Sequence, residues 1–188
     1  RVGAARRQGG GELVCAALEL AQWADEHGVA AVSVDEHHAT GHGWSCNPIM
    51  VAGMFLARTT AMFASVDCAL GPLWNPVRLA EDIALLDLMS EGRFLAVAGL
   101  GYREVEYQAF GVDWRNRGPV FDEKLAVLLR ALKGEEVHYR GAATRITIVK
   151  PMFFQSPTRI TAGSASIVEC SASSGSRPAL LSKEAVGP

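Results

Sequence analysis

Hydrophobic positions change period several times along the chain, and each change marks an element. Leu13, Ala16, Ala17, Leu20, Ala21 and Ala24 recur at helical spacing up to His27-Gly28, which predicts a helix with a glycine stop. The apolar run Ala30 to Val34, with two valines, predicts a strand. Asn47-Pro48 supplies a cap and a first helical residue for a helix running to about Arg58. Met62 to Leu70 reads as a buried strand closed by Gly71-Pro72. Asn75-Pro76 repeats the cap in front of a helix striped by Leu79, Ile83 and Leu86 and ended by Ser90-Glu91-Gly92. Arg93 to Ala98 is the next strand. A loop rich in Gly, Tyr and acids follows, then a helix from about Pro119 to Leu132 with Phe121, Leu125, Leu128 and Leu132 inward and Gly134 closing it.

Strands alternating with helices imply parallel strands joined by crossovers, so the class is α/β. An open doubly wound sheet and a (β/α)8 barrel both satisfy the pattern. The first expects a Gly-x-Gly-x-x-Gly turn, and Ala98 to Glu104 offers only Gly99 and Gly101. Residues 135–157 alternate in the β manner around Val137, Tyr139, Ile146 and Ile148, with a turn at Gly141, and are expected to form a hairpin-like insertion. Residues 1–12, rich in Arg and Gly, are expected to be a flexible N-terminal segment, and 183–188 a tail.

Composition narrows the partners. The chain has 188 residues, 49% of them hydrophobic and 20% charged, with a net charge of −2, so it has neither the basic stripe of a nucleic-acid binder nor a polybasic membrane contact. Cys15, Cys46, Cys68 and Cys170 are widely separated and lack zinc or Cys-x-x-Cys spacing, which leads us to expect reduced thiols and a cytoplasmic protein. No apolar run reaches the roughly 18 residues needed to span a bilayer.

Chemistry in parallel α/β folds gathers at the C-terminal ends of the strands. Asp35-Glu36-His37-His38 stands at one such end, where an imidazole can orient a substrate or exchange a proton near neutral pH. The same histidines could equally hydrogen-bond a neighbouring loop. A metal reading of Glu36, His37, His38 and His42 lacks a second acid/histidine cluster downstream to complete the coordination shell, so no metal is expected. A serine hydrolase would need a Gly-x-Ser-x-Gly elbow, which is absent. Thr161 to Ser166, "TAGSAS", joins a strand-like segment to a helix start. There small residues either let backbone N–H groups approach a phosphate or form a plain linker.

Four segments, "DEHHATGHGWSCNP" (Asp35 to Pro48), "NPVRLAEDIALLDLMSEGRF" (Asn75 to Phe94), "GYREVEYQAFGVD" (Gly101 to Asp113) and "TAGSASIVE" (Thr161 to Glu169), together resemble bacterial luciferase and the wider luciferase-like flavin monooxygenases. The resemblance covers about residues 13–182. It implies a TIM (β/α)8 barrel that binds reduced FMN, or in some relatives the deazaflavin F420, at the strand ends. O2 and a small organic substrate, an aldehyde in luciferase, would be the reactants. A reductase would supply the flavin, and the assembly would be a homo- or heterodimer. By the same resemblance His37 is the catalytic histidine, Ala162, Gly163, Ser164 and Ile167 belong to the phosphate-binding turn, and Asp67-Cys68 is a non-proline cis peptide bond beneath the flavin ring.

Departures from the family pattern set the rival expectations. Leu100 stands where many members hold the flavin phosphate with an arginine, so one charge-assisted contact is missing. Asp67 is an acid where small or apolar residues are usual. The chain is also short for a full barrel, so a truncated barrel is expected, with unpaired strand edges. An F420-dependent oxidoreductase and a non-catalytic flavin-binding subunit or inactive fragment are the alternatives to a monooxygenase.

Overall fold

The computed structural model describes residues 5–41, 45–142, 144–149 and 167–170. Helix α1 spans Ala5–Glu26, strand β1 Ala31–Val34, α2 Pro48–Arg58, β2 Phe63–Leu70, α3 Pro76–Met89 and β3 Phe94–Gly99. They are followed by α4 Glu104–Ala109, α5 Arg117–Leu132, β4 Val137–Arg140, β5 Arg145–Val149 and β6 Ile167–Cys170. Both Asn-Pro signals act as read. Asn47 Oδ1 accepts from the Met50 amide at 3.0 Å, and Asn75 Oδ1 from the amides of Val77 and Arg78 at 3.0 and 3.1 Å.

Strands β1, β2, β3 and β6 form a parallel sheet in that order, and β4 pairs antiparallel with β5 as the expected hairpin. Side chains alternate across each strand, so one face carries Val34, Ala64, Val66, Phe94, Ala96 and Ala98. All of these are buried in one core with Ile49 and Phe55 of α2, Leu79 and Ile83 of α3, and Phe121, Leu125 and Leu128 of α5. On the opposite face Ser33, Phe63 and Asp67 are exposed. Among the described residues the helices therefore cover one side of the sheet, the sheet has two free edges, β1 and β6, and it does not close into a barrel.

Three local expectations change. α1 begins at Ala5 rather than Leu13 and takes in residues 5–12 of the segment expected to be flexible, although its three consecutive glycines, Gly9 to Gly11, disfavour a helix. Of its apolar stripe Ala21 is buried, while Leu13 and Leu20 are exposed. The loop after β3 contains the short helix α4, which the acids of "REVEYQ" concealed. The turn expected at Thr161 to Ser166 lies outside the described residues; the helix expected after it is replaced at Ile167 by β6, where Ile167 pairs with Ala96 of β3, as the β-branched Ile167-Val168 favours.

The lower edge of the sheet is fixed by polar anchors. Asp25 of α1 accepts from the amides of Thr60, Ala61 and Met62 at 2.6, 3.0 and 2.6 Å, and from the Thr60 hydroxyl at 3.0 Å. These bonds, led by that from Thr60, hold its carboxyl below the ordinary value of 3.8. Arg93 donates to the carbonyls of Leu56, Met62 and Ser90 and so joins α2, β2 and the α3 terminus.

Candidate functional site

The segment after β1 enters a network of two buried carboxylates. Glu36, 3% exposed, accepts from the Leu70 amide at 2.6 Å and from Trp74 Nε1 at 2.9 Å. His38 Nε2 lies 2.8 Å from its Oε1. Glu36 thereby ties the end of β1 to the end of β2 and to the turn after it. A buried carboxylate stays favourable only with donors of this kind around it.

Glu106, fully buried on α4, is the second hub. Its Oε1 lies 3.0 Å from His37 Nδ1 and accepts from the His38 amide and from Arg103 Nη1, each at 3.0 Å. Arg103 Nη1 also donates to the His38 carbonyl at 3.0 Å. Among the described residues Glu106 Oε2 is buried without a hydrogen bond. The adjacent histidines are thus drawn to different carboxylates, His37 to Glu106 and His38 to Glu36. Among the described residues no group of three or more His, Cys, Asp or Glu side chains is placed to hold a metal ion. His42 lies outside the described residues.

Aromatic packing seats this network. His37 meets Tyr102 edge-on at 5.9 Å between ring centroids, and His38 meets Phe110 at 4.5 Å. Tyr107, next to Glu106, is completely buried and donates its hydroxyl to the Leu100 carbonyl, which pins the loop after β3 to α4. Burial pushes its phenol up to about 12, so it remains a donor across the physiological range. Trp114 packs edge-on against Tyr107 at 5.0 Å and carries the Arg117 guanidinium 3.7 Å above its ring.

Beside this network, the end of β2 bears the cis bond between Asp67 and Cys68 that the resemblance implies. The pairing of β2 with β3 shifts register between Asp67 and Ala69. A Cβ at Gly99 of β3 would collide with Cys68 Sγ, so glycine is required for the thiol to lie against the neighbouring strand. On the face away from the helices, Ser33 and Ser65 are partners in the β1–β2 register. Their hydroxyls donate to Asp67 Oδ2 at 2.7 and 2.8 Å.

His37 and Leu100 therefore stand just beyond the C-terminal ends of β1 and β3, while Asp67 and Cys68 lie within the C-terminal half of β2. Ile167 does neither. Its partner is Ala96, whereas Gly99 at the end of β3 pairs with Cys170. Ala162, Gly163 and Ser164 lie outside the described residues. Sequence reading did not assign roles to Glu106, Arg103, Trp74, Ser33 or Ser65. The available signals were an acid beside a tyrosine in "EVEYQ" and two serines interrupting apolar strands.

The chain matches the model of a family described as luciferase-like monooxygenase over residues 2–176. Among curated proteins it is 26% identical over 176 residues to the alkanal monooxygenase alpha chain of the Kryptophanaron alfredi symbiont, covering 91% of this chain and 49% of that one. It is 28% identical over 123 residues to the oxygenase component of a flavin-dependent trigonelline monooxygenase from Acinetobacter baylyi, covering 64% and 34%. The crystal structure of monooxygenase RslO1 from Streptomyces bottropensis superposes with a TM-score of 0.78 at 26% identity, covering 87% of this chain and 49% of that one. The chain spans about half the length of these relatives, or less.

Proposed function

The chain belongs to the luciferase-like monooxygenase family, and from that premise we propose that it provides the flavin-binding and proton-handling part of a flavin-dependent monooxygenase. Reduced FMN from a separate reductase, O2 and a small organic molecule would be its reactants. The observation that carries the reading is His37 seated on the buried carboxylate of Glu106 at the strand ends. The chemistry at the flavin ring's expected place suits it. Among the described residues Glu106 Oε2 is a buried acceptor without a hydrogen bond, on the same carboxylate that holds the His37 imidazole. The phosphate end is less well served, since Leu100 supplies no charge.

When bound, reduced flavin supplies the electrons that activate O2. The protein's contribution is to orient groups and move protons. With Nδ1 committed to Glu106, the ring orientation of His37 is set and proton exchange falls to Nε2. Arg103 and the His38 amide share the same carboxylate oxygen, so the hub keeps its geometry while His37 changes protonation state. Glu36 acts by fixing the loop to β2.

The test is a titration of the 188-residue chain with FMN, reduced FMN and F420, followed by absorbance and fluorescence, together with substrate-dependent O2 consumption when a flavin reductase is present. Saturable binding of reduced FMN and O2-dependent turnover of an organic substrate are expected. Binding of F420 with hydride transfer and no O2 requirement would replace the reading with the deazaflavin alternative. Flavin binding without turnover would replace it with the non-catalytic one.

A further inference from the structure

The imidazole of His37 is fixed and nearly enclosed. Its backbone amide donates to the Ser45 carbonyl at 2.9 Å, its Nδ1 is held by Glu106, and its side chain is 14% exposed. Among the described residues the aromatic ring lying against it is that of Tyr102, edge-on at 5.9 Å. Tyr102 itself is 69% exposed, and its hydroxyl makes no hydrogen bond among the described residues. The main chain on either side of it is anchored. Before it, the Leu100 carbonyl accepts from Tyr107, and Gly101 takes a φ of 69° with no room for a Cβ beside Leu70. After it, Arg103 donates to the His38 carbonyl and to Glu106. Tyr102 can therefore leave His37 only by turning its own side chain, a change of rotamer that exposed residues make freely.

We propose that the ring of Tyr102 is a movable cover of His37, closed in this structure and opened by rotation about χ1 to give reactants access to the imidazole. The assignment deepens the monooxygenase reading and rests on it for the part His37 plays in the reaction, whereas the cover itself rests on the geometry of the loop after β3. Closed, the ring keeps bulk water from exchanging protons with His37 between turnovers. An edge-on contact by an exposed ring is weak, so opening needs no rearrangement of the fold. His38 provides the contrast. Its ring packs against Phe110 at 4.5 Å and its Nε2 is held by Glu36, so a movement of Tyr102 leaves it as it was.

The experiment is acylation of the 188-residue chain by diethylpyrocarbonate, an imidazole reagent, with the rates at His37 and His38 read separately by tandem mass spectrometry. Tyr102→Ala is expected to speed labelling of His37 about tenfold, the ratio for a cover that stands open on the order of a tenth of the time. Labelling of His38 is expected to stay unchanged, and Tyr102→Phe, which keeps the ring, to restore the slow rate at His37. An unchanged rate at His37 in Tyr102→Ala overturns the proposal. Acceleration of both histidines together also overturns it, since the loop has then loosened as a whole, and so does a Tyr102→Phe protein labelled as fast as Tyr102→Ala. FMN titration of the same proteins keeps the two readings apart. Faster labelling of His37 alone in a chain that binds no FMN supports the cover and removes the monooxygenase reading, whereas FMN binding with unchanged labelling removes the cover alone.

Discussion

His37 Nδ1 and Glu106 Oε1 meet at 3.0 Å although 69 positions separate them in sequence. The contact joins the loop after β1 to a helix after β3, and Arg103 and the His38 amide converge on the same oxygen. Replacing Glu106 with Gln keeps the volume but turns one acceptor oxygen into a donor NH2. Glu106→Gln is therefore expected to lower turnover by about tenfold, part of the range attributed to general acid–base groups. Its pH–rate profile should move while the FMN dissociation constant stays put. A profile identical to that of the unaltered protein would exclude Glu106 as the group that orients His37.

His37→Ala removes the imidazole but leaves Glu106 its bonds from Arg103 and the His38 amide. Turnover is expected to fall by at least about tenfold with flavin binding nearly intact. Stopped-flow measurement of the oxidative step separates this from a binding defect. An unchanged rate would remove His37 from the chemistry.

Leu100→Arg tests the missing phosphate contact. Leu100 is partly buried against the core, and its carbonyl is held by Tyr107, so the backbone there is already positioned. An arginine is expected to tighten FMN about tenfold by a charge-assisted bond, and to leave riboflavin, which lacks the phosphate, unaffected. Equal effects on both ligands would mean that position 100 does not face the phosphate.

The acid limb of stability should depend on Asp25. Its carboxyl is held below 3.8 by hydrogen bonds in the folded state, so its contribution is fully present above that value and is lost as pH falls through the lower, folded-state value. Asp25→Asn is expected to lower the urea midpoint at neutral pH and to flatten its decline below about pH 4. Coincident midpoint curves for the two proteins would show that the four bonds to Thr60, Ala61 and Met62 add nothing to folding.

Local signals were legible where one residue type does one job. Asn47-Pro48 and Asn75-Pro76 located two helix starts, and the alternation around Tyr139 and Ile146 located the β4–β5 hairpin. Contacts that depend on register were not. That Ser33 and Ser65 share one acceptor follows only once β1 lies parallel to β2 in one register, because a slip of a single residue would turn one hydroxyl to the helix side. The burial of Glu36 and Glu106 was not legible either, since it depends on donors that lie far off in sequence, the Leu70 amide for the first and the His38 amide for the second. The resemblance draws Ile167 to a turn, and in the structure it is the first residue of β6.

The end of β3 offers a prediction in which two residues must be changed together. Gly99 has no Cβ, and the space one would take is filled by Cys68 Sγ from β2. Gly99→Ala forces the thiol or the strand end to move, with an expected destabilisation of about 1–3 kcal/mol, the usual range for overpacking. Cys68→Ala alone removes one heavy atom from a half-buried place and should cost less. In the double variant the worst overlap is gone, although Cys68 Cβ still stands 3.1 Å from the new methyl group. The two effects should therefore be clearly non-additive, with part of the lost stability recovered, as urea unfolding of all four proteins would show. FMN affinity measured on the same set reports whether displacement of Cys68 reaches the ligand. Strict additivity in stability would mean that β3 relaxes away from β2 rather than against the thiol.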